Sequence, residues 1–182
     1  MNLEQSLATI SFLDNKKVVA PRDWVFQEAL NLFEGQPVKI LQVGAVETFN
    51  STHLTGSGWS DRFFGPYVKE FGGLYKIIDI DLDHLANSLL LSEILGYKVE
   101  LNLNSGESGV QPGFDLYYLD GSNDPHEMLV EVDNIRKHPC VILCDDWDIK
   151  GTLVKPLFDW KIFSVANGMA MADLRKTPTS PV

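Results

Sequence analysis

The stretch VILCDDWD, Val141 to Asp148, drives a run of apolar residues straight into two adjacent carboxylates, Asp145 and Asp146, with Asp148 two places on. Like charges at the end of a buried strand repel one another and resist losing water. Two arrangements relieve that: the strand ends in solvent, or something positive sits among the acids. Other apolar runs end in a similar manner. LYKIIDID closes on Asp79 and Asp81, FDLYYLDG on Asp120, and VKILQVG on Gly44, which Ala45 follows. An acid ending LYKIIDID is suited to accept hydrogen bonds from a ribose diol, and by register Asp81 is a stronger choice than Asp79. Asp83 is the best-placed cap for the helical pattern that comes next. Asp120, Asp145 and Asp146 are suited to hold a cation or a substrate hydroxyl. Candidate bases are His126, soon after LYYLDGSND, and His53, inside the Gly/Ser/Thr-rich loop ETFNSTHLTGSGWSD. His84 and His138 read as a helix-face and a loop residue without an evident partner.

These groups can act together only if the elements carrying them form one sheet with its ends on one rim. Two helical patterns open the chain, Leu3 to Leu13 and then RDWVFQEALNLFEG, which stops at Gly35. From there helix and strand patterns alternate. Strands are expected at 38–44, 74–81, 97–104, 114–121 and 140–146, and helices at 60–73 (broken or started near Gly65-Pro66), 82–96 and 125–137. That rhythm predicts βαβ units and a parallel sheet covered on both faces. In such a sheet, ligands bind beyond the carboxyl ends of the strands, near the point where strand order reverses. The segment WKIFSVANGMAMADLRK (160–176) then changes style, with two strand-like pieces around Asn167-Gly168, a dipeptide that favours a tight hairpin.

The 182 residues suit one domain. Against 25 Asp and Glu stand 15 Lys and Arg, a formal charge of −10 that argues against nucleic acid and suits a cation or a neutral small molecule. No apolar run approaches the roughly 18 residues that span a bilayer. The N-terminal stretch lacks the basic start and apolar core of a signal peptide, so a cytoplasmic chain is expected, with no membrane partner. Cys140 and Cys144 on one strand would lie about 13 Å apart, too far for a mutual disulfide. Apolar residues such as Trp24 and Phe63 are compatible with either a core or a homo-oligomer interface.

In their order, LQVGA, IIDIDLD, FDLYYLDGS, VILCDDW and the hairpin around NGMAM resemble the class I S-adenosylmethionine-dependent methyltransferases. Within these they resemble the metal-dependent O-methyltransferases of the catechol and macrolide-sugar types. The resemblance spans about residues 36–176. It implies an α/β, single-domain, Rossmann-like doubly wound and mostly parallel sheet finished by an antiparallel hairpin. Residues 1–35 would be N-terminal helices packing on the core and helping to form the acceptor pocket, and 177–182 a frayed tail. It further implies S-adenosylmethionine as cofactor. Gly44 and Ala45 would lie by its methionine part, Asp81 or Asp79 on its ribose, Asn104 or Ser105 by its adenine, with Asp120 alongside. Asp120, Asp145 and Asp146 would be ligands of Mg2+, able to orient a substrate hydroxyl and lower its pKa.

Two positions depart from the family pattern. Gln42 stands where an acid usually precedes the first glycine, in a loop reduced to GAVETFNS. Asn123 stands where a Lys or His base is usual and cannot itself accept a proton at neutral pH, which leaves His126 or His53. The expected activity is methylation of a hydroxyl on a small sugar, polyol or phenol. The alternative is a non-catalytic protein that binds cofactor or ligand on the same fold.

Overall fold

Strand patterning decides the architecture. In a computed structural model, which describes residues 22–47, 60–165 and 167–176, β1 (Val38–Val43) buries five of its six side chains. β4 (Leu116–Leu119) and β5 (Val141–Asp145) are buried throughout. Strands apolar on both faces must be covered on both faces. They form the centre of a seven-stranded sheet of order β3-β2-β1-β4-β5-β7-β6. β2 (Gly73–Asp79) and β3 (Glu100–Leu103) continue it on one side, and β6 (Lys161–Phe163) and β7 (Met169–Asp173) on the other. The first five strands run parallel, and β7 pairs antiparallel with both β5 and β6.

Side chains alternate between two cores, as the two-residue period of a strand requires. Ile40, Tyr75, Ile77, Tyr118 and Leu143 pack with Val25, Phe26 and Ala29 of α1 (Asp23–Asn31), Phe64 of α2 (Asp61–Phe71) and Leu85 of α3 (Leu82–Leu95). Leu41, Val43, Ile78, Leu119 and Ile142 pack the opposite way, with Met128, Val132 and Ile135 of α5 (Pro125–Ile135) and Trp147 of α6 (Trp147–Lys150). A short α4 (Gly106–Gly109) and single helical turns at Lys155–Leu157 and Leu174–Lys176 complete the described elements.

Several expectations need adjustment. α2 runs through Pro66 without a break, with Pro66 inside it. β2 starts at Gly73 and stops at Asp79, two residues before Asp81. β3 and β4 are shorter than their patterns, and α4 has no counterpart in the helical patterning of the sequence. The helix expected at Leu3–Leu13, most of the 47–60 loop including His53 and Trp59, and the tail 177–182 lie outside the described residues. The hairpin is present: Asn167 and Gly168 both take positive φ, 58° and 71°, as its turn demands. Cys140 and Cys144 are both buried and free.

Helix α2 offers a test of two opposed effects. A Gly→Ala change inside a helix ordinarily gains up to about 1 kcal/mol. At Gly65, however, a Cβ would fall 2.3–2.5 Å from three ring carbons of Tyr97. Tyr97 is itself buried, so overpacking should win, and Gly65→Ala is expected to lower the unfolding free energy by about 1–3 kcal/mol in urea titrations.

Candidate functional site

The sheet order reverses beside β1, whose neighbours are β2 and β4. Val43 pairs with both Ile78 and Leu119, and Leu119 pairs with Cys144. Gly44, Asp79, Asp120 and Asp145 are therefore the next residues on four adjacent strands, set along one rim. This is the crevice in which an open parallel sheet binds ligands.

Gly44 holds the first two strand ends together. Its φ is +92°, and a Cβ there would lie 2.6 Å from the Asp120 carbonyl oxygen, so only glycine lets β1 and β4 close to this extent. Asp79 ties the next loop down. Its Oδ2 accepts the Ala45 N–H at 2.8 Å and its Oδ1 the Asp81 N–H at 2.8 Å. Asp81, rather than Asp83, is the cap of α3 and accepts the backbone N–H groups of Asp83 and His84. Between these acids Ile80 is 76 % exposed. His84 has a partner after all, its Nδ1 lying 3.5 Å from Asp79 Oδ2. Asn104 and Ser105 sit beside the same strand end: the Asn104 N–H donates to the Asp79 carbonyl, and Ser105 caps α4.

Farther along the rim the three acids do gather, but protein groups attend them. Asp145 is fully buried, and its Oδ2 accepts from Arg22 Nη1 at 2.8 Å and Tyr118 Oη at 2.7 Å. Its Oδ1 takes the Asp146 N–H. Asp146 Oδ1 accepts from Arg22 Nη2 at 3.2 Å and from Asn167 Nδ2 at 3.0 Å. Asp120 lies 3.0 Å from Tyr118 Oη through Oδ2, and 3.4 Å from Lys150 Nζ through Oδ1. Tyr118 has one hydroxyl hydrogen between two carboxylates. A proton on Asp120, which burial and then the Asp145 charge push up to about 7, would donate back to that oxygen and satisfy both contacts. Burial also raises Asp145, against the pull of Arg22, and keeps Tyr118 well above the usual phenol range.

Chain geometry explains why these partners meet. Asp146 adopts a left-handed φ of 49°. The backbone that follows is pinned by hydrogen bonds from the Trp147 N–H to the Gly168 carbonyl and from the Asp148 N–H to the Asn167 carbonyl. Thus the hairpin sets the turn after β5. α6 then carries Lys150 back under Asp120, 1 % exposed.

The Gln42 departure has its own answer. Gln42 is buried, and its Nε2 donates to the Gly44 carbonyl at 2.6 Å and to Asp61 Oδ1 at 2.7 Å. Tyr75 and Ser60 donate to its Oε1. A carboxylate is thus present behind the Gly44 loop, supplied by the first residue of α2, and burial raises Asp61 to about 6.

The strand-end pattern marks the rim but not its cations. Arg22 is separated by 123 residues from Asp145, and Lys150 reads as an ordinary surface lysine. Among the described residues no group of three or more His, Cys, Asp or Glu is disposed to hold a metal ion. Five of the six carboxylate oxygens of Asp120, Asp145 and Asp146 already face protein donors. His126 is exposed on the first turn of α5, its N–H bonded to the cap Asp124. Asn123 is exposed just before that cap. Among the described residues no helix is long and apolar enough to cross a membrane.

Solved structures share this architecture. An SAH-bound methyltransferase of Podospora anserina aligns over 93 % of this chain and 87 % of its own, with a TM-score of 0.61 and 14 % identity. A methyltransferase of Geobacter sulfurreducens aligns over the same shares at a TM-score of 0.55 and 13 % identity. The SAM-bound magnesium protoporphyrin IX methyltransferase of Synechocystis aligns over 83 % of this chain and 76 % of its own, at 0.56 and 11 %. The chain has the Rossmann-like class I methyltransferase fold. No family model and no curated protein matches its sequence.

Burial of so many acids fixes a pH dependence. Asp61, Asp120 and Glu131 ionise at about 6, 7 and 7 in the folded chain, against ordinary values of 3.8, 3.8 and 4.5, mainly because burial disfavours their charge. Between roughly pH 4 and 7 the folded chain therefore binds more protons than the unfolded one, and stability falls as pH rises. Glu131→Gln is expected to flatten that fall, so that the variant gains about 1–3 kcal/mol on wild type between pH 5 and pH 8 in urea titrations.

Proposed function

We propose that this chain is an S-adenosylmethionine-dependent methyltransferase acting on a hydroxyl of a small acceptor, of the sugar, polyol or phenol class. The observation that carries the reading is the rim on which Gly44, Asp79 and Asp120 follow one another on adjacent strands of this sheet order. The donor set there fits the cofactor. Each Asp79 oxygen accepts one backbone N–H and keeps a lone pair for a ribose hydroxyl, and the Asp81 carboxylate stands half-exposed beside it. Ile80 offers an apolar face to the adenine ring, with Asn104 and Ser105 next to it, while the close-packed backbone at Gly44 and Ala45 takes the methionine side.

When bound, the cofactor supplies an electrophilic methyl group on sulfonium sulfur. What the chain adds is placement and proton handling. Transfer would need the acceptor oxygen held in line with that methyl group and its hydroxyl proton taken by a base of this chain. Asp120, at about 7 and on the rim, is the group placed for it. His126 and His53 stand as further candidates. The N-terminal segment, the 47–60 loop and the segment after Asp148 would frame the acceptor, as Arg22 already reaches the rim from the start of α1. The divalent cation that the resemblance implies does not fit this donor set, whose carboxylates already face Arg22, Tyr118 and Lys150. The formal charge of −10 favours a small-molecule acceptor over nucleic acid, in a cytoplasmic chain that could also self-associate. Asn123, exposed where a base is usual, favours the second reading, a protein that binds cofactor without turnover.

Calorimetric titration with S-adenosylhomocysteine tests the reading. Saturable binding is expected, weakened at least tenfold in Asp79→Ala, a loss of about 1.4 kcal/mol or more. No heat and no thermal shift would overturn it. Binding without methyl transfer to any polyol or phenol would select the second reading.

A further inference from the structure

We infer that Arg22 stands in the place a divalent cation would occupy among Asp120, Asp145 and Asp146, so that this site is charge-balanced by its own chain and becomes a cation site only when the guanidinium is removed. Two observations carry this. First, the Arg22 head spans the adjacent acids, with Nη1 at 2.8 Å from Asp145 Oδ2 and Nη2 at 3.2 Å from Asp146 Oδ1, and is largely buried, its side chain 15 % exposed. A fixed planar fork with one N–H on each of two carboxylates is geometry that guanidinium meets and ammonium does not. Second, protein donors face five of the six carboxylate oxygens. Tyr118 and the Asp146 N–H also bond Asp145, Asn167 also bonds Asp146 Oδ1, and Lys150 Nζ stands 3.4 Å from Asp120. Mg2+ requires near-octahedral oxygen ligation at about 2.1 Å and releases its waters reluctantly. To enter, it would have to break both Arg22 contacts and leave a buried guanidinium without its acids, a costly exchange.

The consequence for chemistry follows from the difference between the two cations. A metal ion offers open coordination positions to both oxygens of a diol, whereas a guanidinium presents only N–H donors. Arg22 is therefore a positioning residue that holds the Asp145 and Asp146 carboxylates in place at the rim. Its bearing on turnover rests on the methyltransferase reading, but its effect on cation binding does not.

Thermal unfolding in EDTA, in Mg2+ and in Ca2+ tests this on wild type, Asp145→Asn, Arg22→Ala and the pair Arg22→Ala with Asp145→Asn. Wild type is expected to melt at the same temperature in all three. Arg22→Ala should melt lower in EDTA and gain about 5–10 °C at cation concentrations 100-fold above Kd, a gain the paired variant loses. Should Arg22→Ala fail to fold in EDTA, recovery of its far-ultraviolet circular dichroism on adding Ca2+ supports the inference, and failure to recover overturns it. It is equally overturned by a wild-type melting temperature that rises with Mg2+ but not in Asp145→Asn, or by a folded Arg22→Ala that ignores both cations. None of these readouts involves S-adenosylhomocysteine, whose binding decides the broader reading separately.

Discussion

Everything at the rim depends on burying the Asp145 carboxylate at the end of a central strand. A charge in that position is tolerated only when it is paired and its oxygens are hydrogen-bonded. Arg22, Tyr118 and the Asp146 N–H do this together, and each comes from a different part of the chain. α1 must bring its first turn across the sheet for Arg22 to reach. β4 must lie next to β5 in register for Tyr118 to reach. The turn after β5 must be left-handed at Asp146 for that residue's own N–H and carboxylate to serve both sides.

The same economy of strand ends runs toward β2. Gly44 can approach the Asp120 carbonyl because it lacks a Cβ, and this closeness lets Asp79 clasp the Ala45 N–H across the β1–β2 gap. Gln42 and Asp61 brace the loop from behind, sharing the Tyr75 hydroxyl. Tyr75 is buried against both an acid and Tyr97, so its phenol stays protonated and acts as a donor. Site and core are thus one construction, because the polar network occupies inward positions that would otherwise be filled by aliphatic side chains.

A rim so rich in raised carboxyls carries a cost in stability at neutral pH, because their charged forms are desolvated. That cost is concentrated where ligand chemistry would occur. Asp120 is the clearest case, with its protonation tied to Tyr118, Asp145 and Lys150 at once. Folds commonly keep such strained electrostatics at functional sites and compensate with packing elsewhere. Here the packing comes from two cores on either side of the sheet.

The sequence by itself determined the parallel sheet, the closing hairpin and the set of acids at strand ends. These follow from short-range causes: period-two burial, turn residues such as Asn167-Gly168, and the abrupt change from apolar to acidic along a single strand. It misjudged details that depend on one residue of register, such as Asp81 rather than Asp83 as the α3 cap and Asp79 rather than Asp81 as the last residue of β2. Only the tertiary structure decided what neutralises the acids. Arg22 and Lys150 carry no local pattern that marks them, since a charge pair is made by proximity in space and not by spacing along the chain. The acids at the end of β5 announce that something positive must be near, and the fold supplies it from 123 residues away.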